Sequence, residues 1–562
     1  MTEGKLVKPV SKKVLGVTLA SAVALGSFGF SQYSPKTEAK NEGKTVKQEE
    51  AKNVIMMVMD GTSSSATTLA RWYKGEPLNM DKLVAGGVTT YSAESAITDS
   101  APASTALATG NKSNSGYVGV LPSTVTTPGV EPVKEEDQFR PVANVLEGAQ
   151  QTGRATGIIS TSEIQHATPA GFSSHHHDRD NFEVIGEQQV YQNMDVILGG
   201  GKDSLAPGEG KKSRKDGENL VDVLDERGYD FVETRDDLLN STSDKIWGSF
   251  SNTALAYDMD REQTRPEEPT LADMTGKAVD TLSKDKDGFF LFVEGSKPDW
   301  AAHSNDTIGM VSDVLAFDEA LGEALEFAKK DGNTMVIAVS DHGNSGISIG
   351  NKNTTKGYDT TPVSNYIDPL KEAKMTVEGA LSKLNDDLSN KEEVAALYGL
   401  KDLSEQEQAK LDAAKDEKAI GTALVEMLAE RANIGFTTGG HTGEDMFLYS
   451  YGPNRPEGFL DNTDIAKHMA KALGVDLNKL TDELFGKASD VFKGAKTSID
   501  KTDKANPVLV VEKGNKKAQL PVNKDIIIVN GKEYKLPGVV VQSQKGDFYV
   551  PKAANKLFNK AK

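Results

Sequence analysis

The chain has 562 residues, 37% of them apolar, which is too long for one ordinary core and too hydrophobic for disorder, so one large domain with attachments is expected. A net charge of -19 argues against a nucleic-acid backbone as the main partner, because binding phosphates at scale needs a basic surface. Cysteine is absent, which excludes disulfides and thiolate metal sites and leaves His, Asp, Glu and hydroxyl groups to hold any metal.

Lys5, Lys8, Lys12 and Lys13 precede the apolar run Val14 to Phe30, and Ser27-Phe28-Gly29 offers a small-x-small cleavage site. Residues 1–30 therefore read as an export signal, placing the mature protein in a secreted, periplasmic or cell-surface location. An uncleaved membrane anchor is the alternative, since the run is close to the lower limit for spanning a bilayer. Residues 31–52 turn to Lys, Glu, Gln and Thr, the composition of a linker.

Asn53 to Gly61 (NVIMMVMDG) is a continuous apolar run ending in a carboxylate, the pattern of a strand buried on both faces. Similar runs begin at Ala155, Asp195, Phe289 and Thr334. Between them lie helical patterns, clearest in Val314, Phe317, Leu321, Leu325 and Ala328. The alternation predicts an α/β fold with a mostly parallel central sheet flanked by helices. It lapses over about 352–433, a Lys, Glu, Asp and Ala-rich stretch read as a charged helical insertion, and returns with Met446 to Pro453 and a helix around Ile465 to Leu473. The main domain is placed at 53–475 and a second linker at 476–506. A small β-rich C-terminal module is placed at 507–562, on short apolar runs separated by Asn-Gly and Lys-Gly turns. Its self-contained turn pattern predicts that it can be deleted from Pro507 with little loss of turnover.

In an open parallel sheet, functional groups gather at the carboxyl ends of the strands. Asp60, Glu294, Asp341 and His342 each end such a run; any one alone is more often a turn or cap. Asp299 and His303 are four apart and share a face if that segment is helical. His441 lies between glycines in GGHTG, where the backbone can come close to a packed site. Ser100, in TDSAPASTALATG, precedes small helix-compatible residues, so its hydroxyl sits at a helix N-terminus, a place that favours anionic oxygen. With Asp99 beside it and Arg179 in HHHDRDN, the set suits phosphoryl transfer through a covalent intermediate. Three adjacent histidines cannot all face one way on a regular element, so His175 to His177 read as loop surface.

The stretches VMDG, TDSAPAST, STSEIQHATPAG, VEGSKPDWAAH, VSDHG and GGHTG, in this order, resemble the alkaline phosphatase family from about Asn53 to Gly350 and again from Gly439 to Leu473. The resemblance implies hydrolysis of small phosphate monoesters through a phosphoserine on Ser100, using two zinc ions and one magnesium ion. It implies that Asp299, His303 and His441 hold the first zinc, and that Asp341, His342 and Asp60 hold the second, with Ser100 as its variable ligand. Magnesium would take Asp60, Thr168 and Glu294, and Arg179 would grip the substrate phosphate. His166 and Trp300 stand where the best-known enterobacterial member has aspartate and lysine, which puts them in the third-site neighbourhood and resembles other bacterial branches. Pro298, directly before Asp299, departs from the pattern and puts the first-zinc geometry in question. A phosphodiesterase or sulfatase-like relative is the competing enzyme, opposed by Arg179 and Glu294, and a metal-dependent mutase is opposed by the export signal. A surface-tethered protein built around the C-terminal module is the non-enzymatic reading. Homodimer formation and contact with the cell envelope through that module stay open.

Overall fold

The computed structural model describes residues 51–560. The expected leader, 1–30, and all but the last two residues of the expected linker, 31–52, lie outside the described residues. Among the described residues, no helix is long and apolar enough to cross a membrane.

Ten strands make the central sheet: β1 (Asn53–Met59), β2 (Val84–Thr89), β3 (Ala155–Glu163), β4 (Val196–Gly200), β5 (Asp230–Val232), β6 (Ile246–Ser249), β7 (Phe289–Gly295), β8 (Thr334–Val339), β9 (Met446–Tyr451) and β10 (Gly458–Asp461). Their order is β10-β2-β9-β8-β1-β7-β3-β4-β6-β5. All neighbours are parallel except β9, which runs antiparallel to both β8 and β2.

β1 is an unbroken apolar run because both of its faces are covered. Val54, Met56 and Val58 join a cluster with residues of the helices Val145–Gln151 and Asn462–Leu473. Ile55, Met57 and Met59 point the other way, into a cluster with the helices Leu271–Leu282 and Thr307–Asp331. β7 divides in the same way, with Phe290 and Phe292 on one face and Phe289, Leu291 and Val293 on the other. Each such large side chain contributes roughly 1.5–3 kcal/mol on burial, so a one-residue slip of register would be heavily penalised. That register sets Val58 opposite Glu294 in β7 and Val339 in β8, and so brings the carboxyl ends of β1, β7 and β8 together.

The insertion at 352–433 is helical, with helices at Ser364–Lys371, Val377–Leu381, Lys391–Leu397, Glu405–Ala413 and Glu417–Arg431. Its Ile367, Leu370, Tyr398 and Leu424 form a core with Ile308 and Val311 of the long Thr307–Asp331 helix.

Near the C-terminus a five-stranded antiparallel sheet runs β11 (Lys496–Asp500), β12 (Val508–Lys513), β13 (Lys516–Pro521), β14 (Ile526–Val529) and β15 (Lys532–Lys535) in sequence order. Asn530 and Gly531, both at positive φ, make the β14–β15 turn. Residues 476–506, read as a linker, carry the helix Leu477–Leu484 and β11. Leu509, Val511, Leu520 and Ile527 form a core of the module's own. Val539, Val541 and Tyr549, however, belong to the same cluster as Phe485 and the central sheet. Deletion from Pro507 would strip away that shared packing, so the little lost turnover expected on deletion comes with a cost in stability.

Candidate active site

Asp60 follows β1, Glu294 lies in β7, and Asp341 and His342 follow β8; all four are buried. Gly61 makes the first of these turns possible. Its φ is +64°, and a side chain there would meet the Asp299 Cα at 2.7 Å. The helix Lys297–His303 carries Asp299 and His303 on one face, as their spacing predicts. Pro298 occupies its first turn, where no backbone hydrogen bond is lost. His441 begins a two-residue strand, His441–Thr442, paired antiparallel with Gly343–Asn344. This pairing stacks the His441 and His342 rings with centroids 3.7 Å apart.

Two groups of metal-ligating atoms result, Asp299 with His303 and His441, and Asp60 with Asp341 and His342, each within 4.8 Å. In the first, His303 Nε2 is 3.1 Å from His441 Nε2 and 3.5 Å from Asp299 Oδ2, and His441 Nε2 is 3.6 Å from Asp299 Oδ1. In the second, His342 Nε2 is 3.2 Å from Asp341 Oδ2 and 3.5 Å from Asp60 Oδ1. The third neighbourhood is all oxygen: Thr168 Oγ1 donates to Asp60 Oδ2 at 3.3 Å, and Ser160 Oγ donates to Glu294 Oε2 at 2.5 Å.

The chemistry of these donors fits bound cations. Nδ1 of His303, His441 and His342 faces the carbonyl oxygens of Gly439, Thr98 and Gly343, at 2.9, 2.8 and 3.2 Å. A carbonyl can only accept, so Nδ1 carries a proton, and in the neutral tautomer each Nε2 presents a lone pair inward. Two lone pairs 3.1 Å apart repel unless a positive charge lies between them. Asp60 Oδ1, Asp341 Oδ2 and Glu294 Oε1 are buried without a hydrogen-bond partner. Burial and the carboxylates of Asp341, Asp299 and Glu294 push Asp60 well above the usual carboxylate range, and burial pushes Glu294 up to about 7. Divalent cations would relieve both strains.

Ser100 is the first residue of the helix Ser100–Thr109, 2% exposed, with its Oγ 3.1 Å from His342 Nε2. Asp99 holds the N-cap position, yet its side chain does not cap the helix. Its carboxylate accepts from Gly116 N–H at 2.8 Å and pairs with Arg179 Nη1. Arg179 Nη2 lies 3.3 Å from His166 Nε2, and the His166 ring meets Trp300 edge-on at 5.7 Å. Burial, followed by the Arg179 charge, pushes the His166 imidazole well below its ordinary pKa, so it is neutral. The structure thus brings every site residue expected from the sequence into one region.

A family profile described as alkaline phosphatase matches residues 51–475. The chain is 35% identical to alkaline phosphatase 3 of Bacillus subtilis over 498 residues, which cover 85% of this chain and all of that protein. The chain belongs to the alkaline phosphatase family. Its fold is similar to that of a cold-active alkaline phosphatase from a psychrophilic Shewanella species, with a TM-score of 0.65, 28% identity, and coverage of 75% of this chain and 99% of that one. It is also similar to the Thermus thermophilus alkaline phosphatase, with a TM-score of 0.67, 27% identity, and coverage of 76% and 92%. This alkaline phosphatase is accordingly a phosphoric monoester hydrolase.

Three features of the site escaped the sequence reading. Asn344, two residues beyond His342, donates to Asp299 Oδ1 at 2.7 Å and fixes that carboxylate. Lys297 is buried with its ammonium 4.3 Å from the Trp300 ring and 4.6 Å from the Tyr257 ring. His175, read with its neighbours as loop surface, is fully buried, its ring between Gly119 O at 2.9 Å and Glu147 Oε1 at 3.1 Å. A run of three histidines gives no sign of which one turns inward.

Proposed function

We propose that this phosphatase cleaves phosphate monoesters through a phosphoserine on Ser100. Two zinc ions would be held by Asp299, His303 and His441 and by Asp60, Asp341 and His342, and a magnesium ion by Asp60, Thr168 and Glu294. The observation that carries the reading is the Ser100 hydroxyl, buried at a helix N-terminus beside His342 and the unpartnered Asp60 and Asp341 oxygens. When bound, the divalent cations supply Lewis-acid stabilisation of anionic oxygen. The oxygen-only third group suits magnesium, and the Asp/His groups suit zinc.

The Ser100 Oγ–phosphorus bond forms as the ester P–O bond breaks. The electron pair leaves with the alcohol oxygen, which is protonated from water, and the hydroxyl proton of Ser100 passes to solvent. Water then breaks the Oγ–phosphorus bond, restoring the hydroxyl and releasing phosphate. The planar fork of Arg179, oriented by Asp99, matches two phosphoryl oxygens. Arg179 and Glu294 together favour monoesters over diesters. The charged and apolar pattern of residues 1–30 supports export.

Metal analysis paired with turnover of an aryl phosphate monoester and the matching diester tests this reading. The expected result is zinc and magnesium in the purified protein, preference for the monoester, loss of activity on chelation and its return with both metals. Full activity after exhaustive chelation would contradict it.

A further inference from the structure

The C-terminal module hydrogen-bonds toward the phosphate arginine through a buried asparagine. Asn523 lies in the loop between β13 and β14, 8% exposed and at φ +66°. Its Nδ2 donates to Glu187 Oε2 at 2.9 Å, and its Oδ1 accepts from Gln188 Nε2 at 3.1 Å. Ion pairs flank it, Lys524 to Glu218 at 2.7 Å and Asp525 to Arg227 at 2.6 Å.

Gln188 is fully buried and clamps the backbone of His175 on both sides. Its Oε1 accepts from His175 N–H at 2.7 Å, and its Nε2 donates to His175 C=O at 3.2 Å. From His175 the chain runs directly to Arg179. On its other side it is laced to the loop after the Ser100 helix, by the His176–Val118 pair of backbone hydrogen bonds at 2.8 and 2.9 Å and by Arg179 N–H to Gly116 C=O at 2.8 Å. Gly116 N–H in turn donates to Asp99, the carboxylate that orients the guanidinium. Without Asn523, Gln188 would keep its two hydrogen bonds to His175 but lose the one that ties its amide to the module, so the clamp on the arginine segment would loosen.

We propose that Asn523 of the C-terminal module is a positioning residue for the phosphate arginine, acting through Gln188 and His175 on the segment that carries Arg179. This rests on the reading of Arg179 as the phosphate ligand.

The test uses the full chain with its metals. Asn523→Gly keeps the positive φ and removes the amide. Inhibition by inorganic phosphate and amide hydrogen exchange across residues 175–180 are then read together. The expected result is an inhibition constant about fivefold higher and exchange about fivefold faster, with kcat within about twofold of the parent because the nucleophile is untouched. Asn523→Asp combined with Glu187→Gln re-forms the bond to residue 187 with donor and acceptor exchanged, keeps an acceptor for Gln188 Nε2, and should restore both readouts. Val511→Ala, a cavity in the module's own core, should lower stability without moving either. An unchanged inhibition constant and unchanged exchange in Asn523→Gly, no rescue by the exchanged pair, or an equal effect of Val511→Ala would each overturn the proposal. If phosphate does not inhibit the parent at all, the reading of Arg179 fails instead, and the exchange rates alone still decide whether Asn523 holds the segment.

Discussion

At the scale of single residues, ring nitrogens and carboxylate oxygens decide what the site can hold. The candidate ligand set was legible in the sequence because Asp60, Glu294, Asp341 and His342 end buried strands, Asp299 and His303 repeat at helical spacing, and the motifs that carry Thr168 and His441 come in the family's order. What Asp99, Asn344 and His175 do was not legible, since each acts through a partner distant in the chain. His166 lies against Arg179, and Trp300 lies against His166. A neutral imidazole and an indole bring no fixed charge to bound phosphate, so product should be held loosely. Trp300→Lys with His166→Asp adds a cation and an oxygen ligand. The double variant is expected to lower the inhibition constant of inorganic phosphate by about fivefold, as the added ammonium contributes about 1 kcal/mol toward phosphate while the added carboxylate faces the third metal site. It should also steepen the response to magnesium, and unchanged constants for both would remove this pair from the third-site neighbourhood.

Among elements, the sequence was most readable where strands are buried on both faces. β1, β3, β4, β7 and β8 stand out as apolar runs, as does β9 although its Phe447 is exposed. β2, with Gly86 and Gly87, the three-residue β5, β6 and the half-exposed β10 were missed because neither length nor alternation marks them. The helix Asn462–Leu473 shows how polar groups set a boundary. Asp461 caps it, accepting from Thr463 N–H at 3.0 Å, and pairs with Lys112 at 3.0 Å. Despite partial burial, the Lys112 charge and the Thr463 N–H hold the Asp461 pKa down to about 2. The folded value lies below the unfolded value near 3.8, so the unfolded chain binds more protons in this window and the contribution is lost as pH falls. Asp461→Asn keeps a capping oxygen but loses the charge paired with Lys112, and is expected to cost about 1 kcal/mol at pH 7. The gap between parent and variant in denaturant unfolding should narrow as pH is lowered through 3.8 toward 2. A pH-independent gap would show that the carboxylate's charge contributes nothing.

For the whole molecule, the three-layer architecture was legible from alternating strand and helix patterns, and so were the helical insertion and the β-rich module. How the module sits was not, because turn signals report local folding and say nothing of shared burial. Val539, Val541 and Tyr549 pack beside Phe485, whose ring lies 4.5 Å from His175, so the module's packing reaches the arginine segment as well as the central core. The shared core accounts for stability, and the site at the ends of β1, β7 and β8 accounts for chemistry. The claim that binds the two is that Ser100, presented by its helix to the ligand groups, carries the phosphoryl group. Acid quenching during turnover of a phosphate monoester, followed by peptide mass spectrometry, reads this directly. Phosphate on Ser100, absent in a folded Ser100→Ala protein that no longer turns over, is the predicted result. Phosphate on another residue, or sustained turnover by Ser100→Ala, would contradict it.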